Sequence, residues 1–442
     1  MAWPFTILGR VFRRSGIEAG AGGRRWQGAQ MLAAPQQAAL AARGPAKARA
    51  AALTVNTPYG ARIVEGWVAA LVGKGWQVRA GHTDAETRRQ LNDGFESMLS
   101  PLLVPLVRAL VRDGEAFVHL RVSGDGQLRP KLLPADQIDP ALSRDLGDSG
   151  RIIAGVEFDA EEQVAAYHVL REAPGSPFGA WGEAVRIPAS DMLHIFDPLF
   201  PGQVRGLSWL APVLLKLRDR DEASDALLMA LKVQSLITGF VSDPEGGAAG
   251  FDAEASGGVN VSLEPGAMRI LPPGAEVKFS TPGQGLAQAV DFLRAQDREI
   301  AAGVGLTFEM LTGDLGEANY SSARVGLLDF RRRAEMLQRL LIEGQCLRAL
   351  WSRWIDVQAL AGAIPPDPAT LAEYRAVRFV PPGWQWVDPR NEVEAEVAAI
   401  GAGLKSREEV VAARGRDIDE LDAERARDRA RDAGGDNKET PK

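Results

Sequence analysis

The chain has 442 residues, 45% of them apolar and 25% charged, with a net charge of -7, a composition that supplies core for more than one cooperating domain. The negative balance excludes a protein whose whole surface grips nucleic acid, since that needs clustered Lys and Arg to displace counterions; it leaves room for one that DNA slides past, because an acidic wall repels phosphates. The single cysteine, Cys346, can form neither an internal disulfide nor a Cys-based zinc site, which fits a reducing compartment.

Residues 1–50 carry eight Lys or Arg against one acid, Glu18, and read as a basic, poorly ordered arm; a helix over Pro35–Ala52 has no convincing apolar face. The apolar opening precedes its arginines (Arg10, Arg13, Arg14), the reverse of a secretory signal, and no run of about 18 apolar residues suggests a membrane span. Helical periodicity follows over Pro58–Val78 and Leu102–Val111, the latter stopped by Asp113-Gly114. Strands are expected over Ala116–Val122, Gly155–Asp159, Ala165–Leu170 and Asp191–Phe196, giving an α+β region with an antiparallel sheet.

A long helix is expected from a cap at Ser208 to about Ile237. Its stretch Ala226–Val233 is apolar on nearly every face, so it must be buried in a core or between subunits. Residues 241–282 hold six acids, two bases and dense Gly and Pro; short strands at Gly266–Leu271 and Glu276–Ser280 fit between the turns. Helix resumes over Leu286–Ala302. After a loop over Gly305–Tyr320, a proline-free helical pattern runs from Ser321 to about Leu360, with bends expected at Gly326 and Gly344. Pro365–Pro389 reads as a connector. Asn391–Asp432, with twelve acids and eight bases, reads as a helix pair joined near Gly401–Lys405 and then a solvated end.

Catalytic patterns are missing. His82, His119, His168 and His194 have no metal-ligand spacing, and no G-x-S-x-G or G-x-x-x-x-G-K-[ST] occurs. Cys346, in mid-helix, suits packing. Asp219, Asp221, Glu222 and Asp225 alternate with Arg218 and Arg220 on one helix, a charge-laced surface rather than a convergent metal site. Arg331-Arg332-Arg333 points around a helix and suits ion pairing at least as well as phosphate.

Several ordered segments together resemble lambda-family phage portal proteins: IPASDMLHIF from Ile187, PGQVRGLSWLAPVL from Pro201, IAAGVGLTFEMLTGD from Ile300, NYSSAR from Asn319, WVDPRNE from Trp386, GLKSR from Gly403, and Gly415-Arg-Asp. The similarity runs from about 55 to 425. It implies a portal fold: a flexible arm (1–55), an α+β wing (56–218), stem helices (219–238 and 283–304) around a β-containing clip (239–282), a tunnel-loop region (305–320), a long wing helix with connector (321–385), and a helical crown with charged tail (386–442).

It further implies a ring, usually of twelve copies, at one capsid vertex. Such a ring needs no cofactor, metal or catalytic site and lies in no membrane. Implied partners are double-stranded DNA held without sequence preference, the large terminase, head-completion or adaptor proteins, and the major capsid protein. By the same resemblance Leu227, Leu228, Met229, Leu231 and Val233 pack the stem between subunits. Glu245, Asp252, Glu254, Glu264 and Arg269 dock partners at the clip. Leu311, Thr312, Gly313, Asp314, Leu315, Gly316, Glu317, Ala318 and Asn319 form the loop that narrows the channel. Two other readings stay open: a nuclease or ATPase subunit of a packaging machine, and a head–tail adaptor or minor head protein.

Overall fold

A computed structural model describes residues 32–177, 183–235, 239–242, 276–279, 286–316, 320–385 and 388–435. Helices α1 (Pro35–Asn56) and α2 (Pro58–Leu71) meet at Thr57, whose hydroxyl accepts from the Gly60 amide and caps α2. The turn is tight enough that a Cβ on Gly60 would sit 2.3 Å from the Leu53 carbonyl. Strand β1 (Gln77–Ala80) leads to α3 (Ala85–Asp113). Asp84 caps α3 by accepting from Thr87, and Gly114, at φ 89°, ends it in the left-handed conformation.

Strands β2 (Glu115–Val122), β3 (Leu128–Leu133), β4 (Arg144–Asp145), β5 (Arg151–Ile153), β6 (Val156–Phe158), β7 (Val164–Val169), β8 (Val185–Pro188) and β9 (Met192–Phe196) follow. They form two sheets, ordered β3-β2-β9 and β4-β5-β6-β7-β8, and every pairing is antiparallel. Next come α4 (Leu214–Ser235), the paired strands β10 (Gly239–Ser242) and β11 (Glu276–Phe279), α5 (Leu286–Val304) and the short α6 (Phe308–Thr312). Helix α7 (Tyr320–Leu337) runs through a π-helical segment, Gln338–Leu347, into α8 (Arg348–Leu360). Last are α9 (Pro368–Arg375), β12 (Val377–Val380), α10 (Pro389–Gly401), α11 (Arg407–Ala412) and α12 (Ile418–Gly435).

The fold is therefore α+β, as the strand pattern requires. One large core joins α1, α2 and α3 to the central helix through Trp67, Phe95, Leu103, Leu106, Trp351 and Trp354. Its tryptophans carry their polar ends to backbone acceptors: the Trp67 indole N–H donates to the Val304 carbonyl at 3.1 Å and that of Trp351 to Tyr374 at 3.2 Å. A smaller cluster, centred on Phe117, Ile138, Val156 and Tyr167, sits between the two sheets. Cys346 is fully buried in the first core, and burial pushes its thiol up to about 12, in keeping with a packing role.

Several expectations are corrected. The basic arm is not flexible from Pro35 onward: α1 packs on α2, α3 and α4, and Ala46, Ala50 and even Arg43 are buried. Helix α4 starts at Leu214 rather than at Ser208, because Pro212 lies in a separate turn over Ala211–Val213 and Ser208 is buried in the loop before it. The pattern over Pro58–Val78 divides into α2 and β1. Helix α3 is far longer than Leu102–Val111 and tolerates Pro101 and Pro105, held by the buried stripe Leu91, Phe95, Leu99, Leu103 and Leu110.

Among the described residues α3 is also the one helix long and apolar enough to cross a membrane by length and composition. Its apolar stripe instead packs on α1, α2 and the sheet. The proline-rich connector contains α9 and β12, the latter paired with β1 about 300 residues earlier in the chain. Among the described residues three helices, not two, run from Pro389 onward. The strand expected at Gly266–Leu271 lies outside the described residues.

Candidate oligomer interface and channel loop

Helices α4 and α5 pack against each other as a hairpin, and α4 also packs on α1. Its base is fixed by charge. Asp297 of α5 is buried, accepts from Arg220 Nε of α4 at 2.9 Å, and accepts from the Tyr59 hydroxyl of α2 at 3.2 Å. The Arg220 guanidinium also lies 4.5 Å from the centroid of the Tyr59 ring. Lys216 and Glu299 add a second pair across the hairpin.

Beyond that base the hairpin is bare. Leu228 is 51% exposed, Met229 60% and Leu231 47%, while Leu227 is half-buried. Val290 and Phe292 on α5 are exposed as well. The central helix shows the same character: Val325, Leu328 and Met336 of α7 and Leu340 beyond it all face outward. Large apolar side chains in continuous stripes mark surfaces that something else covers. Of the five residues expected to pack the stem, four therefore lie on this hairpin; the side chain of Val233 falls outside the described residues, as do the clip residues Glu245, Asp252, Glu254, Glu264 and Arg269.

The loop after α5 is anchored on one side. Thr307 caps α6 by accepting from Met310, and Gly313 at φ 74° closes it in the left-handed conformation that favours glycine. Arg62 of α2 donates to the Met310 carbonyl at 2.8 Å, and the Arg298 guanidinium lies over the Phe308 ring. Asp314 then turns the chain: its carboxylate accepts from the Gly316 amide at 2.9 Å and meets Arg294 of α5 at 3.4 Å.

This corrects the expected channel residues in part. Leu311 is 2% exposed and belongs to the core, and Thr312 ends α6; Leu315, 70% exposed, projects outward with Gly313 and Gly316 beside it. Glu317, Ala318 and Asn319 lie outside the described residues.

The segment PGQVRG has a structural reason that sequence alone did not supply. Arg205 is buried and bidentate on the fully buried Glu115, at 2.8 and 3.0 Å, and donates further to the carbonyls of Ala135 (2.8 Å) and Ala154 (2.5 Å). Glu115 also accepts from Arg43 Nε of α1 at 2.9 Å, from the Gly206 amide at 2.9 Å, and hydrogen-bonds His194 Nε2 of β9 at 3.1 Å. The Glu115–Arg205 pair thus ties α1, the first sheet and the loop before α4 to the Ala154 turn of the second sheet.

Burial pushes the Glu115 carboxyl up, but Arg205, His194 and Arg43 outweigh it and hold it well below the usual carboxylate range. Burial pushes the His194 imidazole down, so its Nε2–H donates to Glu115 while the ring stacks on Phe117 and Phe196. Gln203 supports the loop, accepting from Leu199 and donating to the Arg205 carbonyl. Glycine is required where the loop crosses α3: a Cβ on Gly206 would lie 2.2 Å from the Gly114 carbonyl, and one on Gly114 would lie 2.1 Å from Leu207.

Among the described residues no group of three His, Cys, Asp or Glu side chains could hold a metal. The α4 acids stay on one helix, with Glu222 paired to Arg218 at 2.7 Å. Arg331 donates to the Gln385 carbonyl over the Trp384 ring, and Arg333 lies near Trp67, so two of the three consecutive arginines serve their own chain.

Residues 22–338 match the family described as phage portal protein, lambda family. A probable portal protein of Halomonas phage phiHAP-1 is 29% identical over 325 residues, covering 71% of this chain and 62% of that one. Portal protein B of Escherichia phage lambda is 22% identical, covering 64% of this chain and 59% of that one. The match thus spans about three fifths of these relatives' length. Among solved structures, the neck of an empty GTA particle with C6 symmetry aligns with 83% of this chain and 93% of the other at 18% identity and a TM-score of 0.48.

Proposed function

Because the chain belongs to the lambda family of phage portal proteins, we propose that it is the subunit of a closed ring at one vertex of a phage-like capsid, the conduit through which double-stranded DNA is packaged and ejected. The observation that carries this reading is the exposed apolar surface that Leu228, Met229, Leu231, Val290, Phe292, Val325, Leu328 and Met336 place on α4, α5 and α7. Contacts between two different faces of identical chains, repeated around an axis, cover such surface on every copy. A ring of twelve is the expected product.

In that ring α4 and α5 are the stem, packed through Leu227, Leu228, Met229, Leu231 and Val233. The segment between them, with Glu245, Asp252, Glu254, Glu264 and Arg269, is the clip that docks the large terminase and then head-completion proteins. The sheets, α7 and α8 form the wing toward the major capsid protein, and α10 to α12 form the crown. The loop from Thr312 to Asn319 narrows the channel. Asp314 and Glu317 keep that wall negative, so contact with DNA stays weak and confined to the backbone. The subunit does no chemistry of its own.

Light scattering and negative-stain imaging of the purified full-length chain test the ring. Annular particles with a central hole are expected; a stable monomer at micromolar concentration overturns the reading, and ATPase or nuclease turnover in the same preparation favours a packaging enzyme. Replacing 312–318 with a short glycine linker should leave rings intact and reduce packaging yield. Unchanged yield removes the loop's role.

A further inference from the structure

Ring closure needs two different faces that fit each other, and the side chains on α4 and α7 carry complementary patterns. On α4 one face presents Asp221, Asp225, Leu228 and Met229, all exposed. At 100° per residue these fall within about a quarter of the helix circumference. On α7 and its continuation one face presents Val325, Leu328, Arg332, Met336 and Arg339, again all exposed. No ion pair among the described residues involves Asp221, Asp225, Arg332 or Arg339, whereas their neighbours Arg218, Arg220 and Arg331 are engaged within the chain. On α4 two acids therefore precede the aliphatic pair Leu228 and Met229, with Lys232 beyond them; on α7 the aliphatic pair Val325 and Leu328 precedes Arg332 and Arg339, with Met336 between the two arginines.

We propose that these two stripes are the matching halves of the contact between adjacent subunits: the acidic face of α4 docks antiparallel on the basic face of α7 of a second copy of this chain. Antiparallel docking sets Leu228 and Met229 against Val325 and Leu328, and sets Asp221 and Asp225 against Arg332 and Arg339. The opposite direction would leave carboxylates against aliphatic groups. Two turns separate Arg332 from Arg339, a rise of about 10 Å, which long guanidinium side chains close onto carboxylates one turn apart. The same contact buries apolar side chains that the lone chain leaves in water, and it is heterologous, so it propagates around a ring instead of stopping at a pair. This inference rests on the ring reading and names the surfaces that build it.

A charge exchange tests it in the full-length chain. In the variant D221R/D225R both stripes are basic; in R332E/R339E both are acidic. Each alone should lose rings and run as small species, with its circular dichroism melting curve unchanged because the positions are exposed. Mixed in equal amounts, the two should regain rings in which the variants alternate, since the reversed α4 of one meets the reversed α7 of the other and both native faces meet too. Rings from either variant alone, or no rings from the mixture, overturn the pairing while the ring itself stands if the unaltered chain still assembles. An unaltered chain that stays monomeric overturns both.

Discussion

The loop around Glu115 and the hairpin of α4 and α5 solve opposite problems. Around Glu115 the chain buries two guanidiniums and one carboxylate and satisfies them internally, with the Ala135 and Ala154 carbonyls and His194 taking up the remaining hydrogen bonds. On the hairpin it leaves Leu228, Met229 and Phe292 in water. The first region is finished within the chain; the second is, in the proposed ring, finished by another subunit. Burial of charge therefore marks what a single chain must hold rigid, and exposure of apolar surface marks what assembly must cover.

That contrast can be broken by substitution. Glu115→Gln leaves Arg43 and Arg205 buried without their anion, and unpairing a buried charge costs about 3–5 kcal/mol. Denaturant unfolding should register that loss; a change under about 1 kcal/mol would show the node to be dispensable. Leu311→Ala should cost about 2–5 kcal/mol as a core deletion, whereas Leu315→Ala, four residues on, should stay within about 0.5 kcal/mol. Equal effects in thermal melts would erase the boundary drawn between core and loop.

Leu228→Ser with Met229→Ser should leave the melting of the lone chain unchanged within about 0.5 kcal/mol and reduce ring yield, read by light scattering. A variant that destabilises the lone chain would place the hairpin surface in the fold rather than in the assembly.

The contrast also carries a pH dependence. The folded chain holds His194 below the ordinary value of 6.5, so just under that pH the unfolded chain binds more protons than the folded one. Stability from this group therefore falls as pH drops below 6.5, by at most about 1.4 kcal/mol per pH unit. The contribution of Glu115 persists above its ordinary value of 4.5 and is lost only in stronger acid, as pH falls through its much lower folded value. Melts from pH 7.5 to 5 should show the slope, and His194→Gln should flatten it.

Sequence by itself determined the elements whose signal is local. Gly114 after Asp113 stops α3, short β-rich runs between turns place β2, β7 and β9, and a long proline-free helical pattern marks the central helix, as near-continuous apolar residues mark the stretch at 226–233. The ordered segments from Ile187 to Asp417 were enough to point to the family. Only tertiary structure decided the rest, because the partners lie far apart in the chain: Arg43 and Arg205 converge on Glu115, β1 pairs with β12, and Leu311 turns inward while Leu315 turns out. A helix such as α1, with only a weak apolar stripe of its own, gives no periodic signal. It is held by packing through Ala46 and Ala50 and by a buried guanidinium whose counter-charge sits 72 residues away, and such pairing at a distance leaves no mark on local pattern.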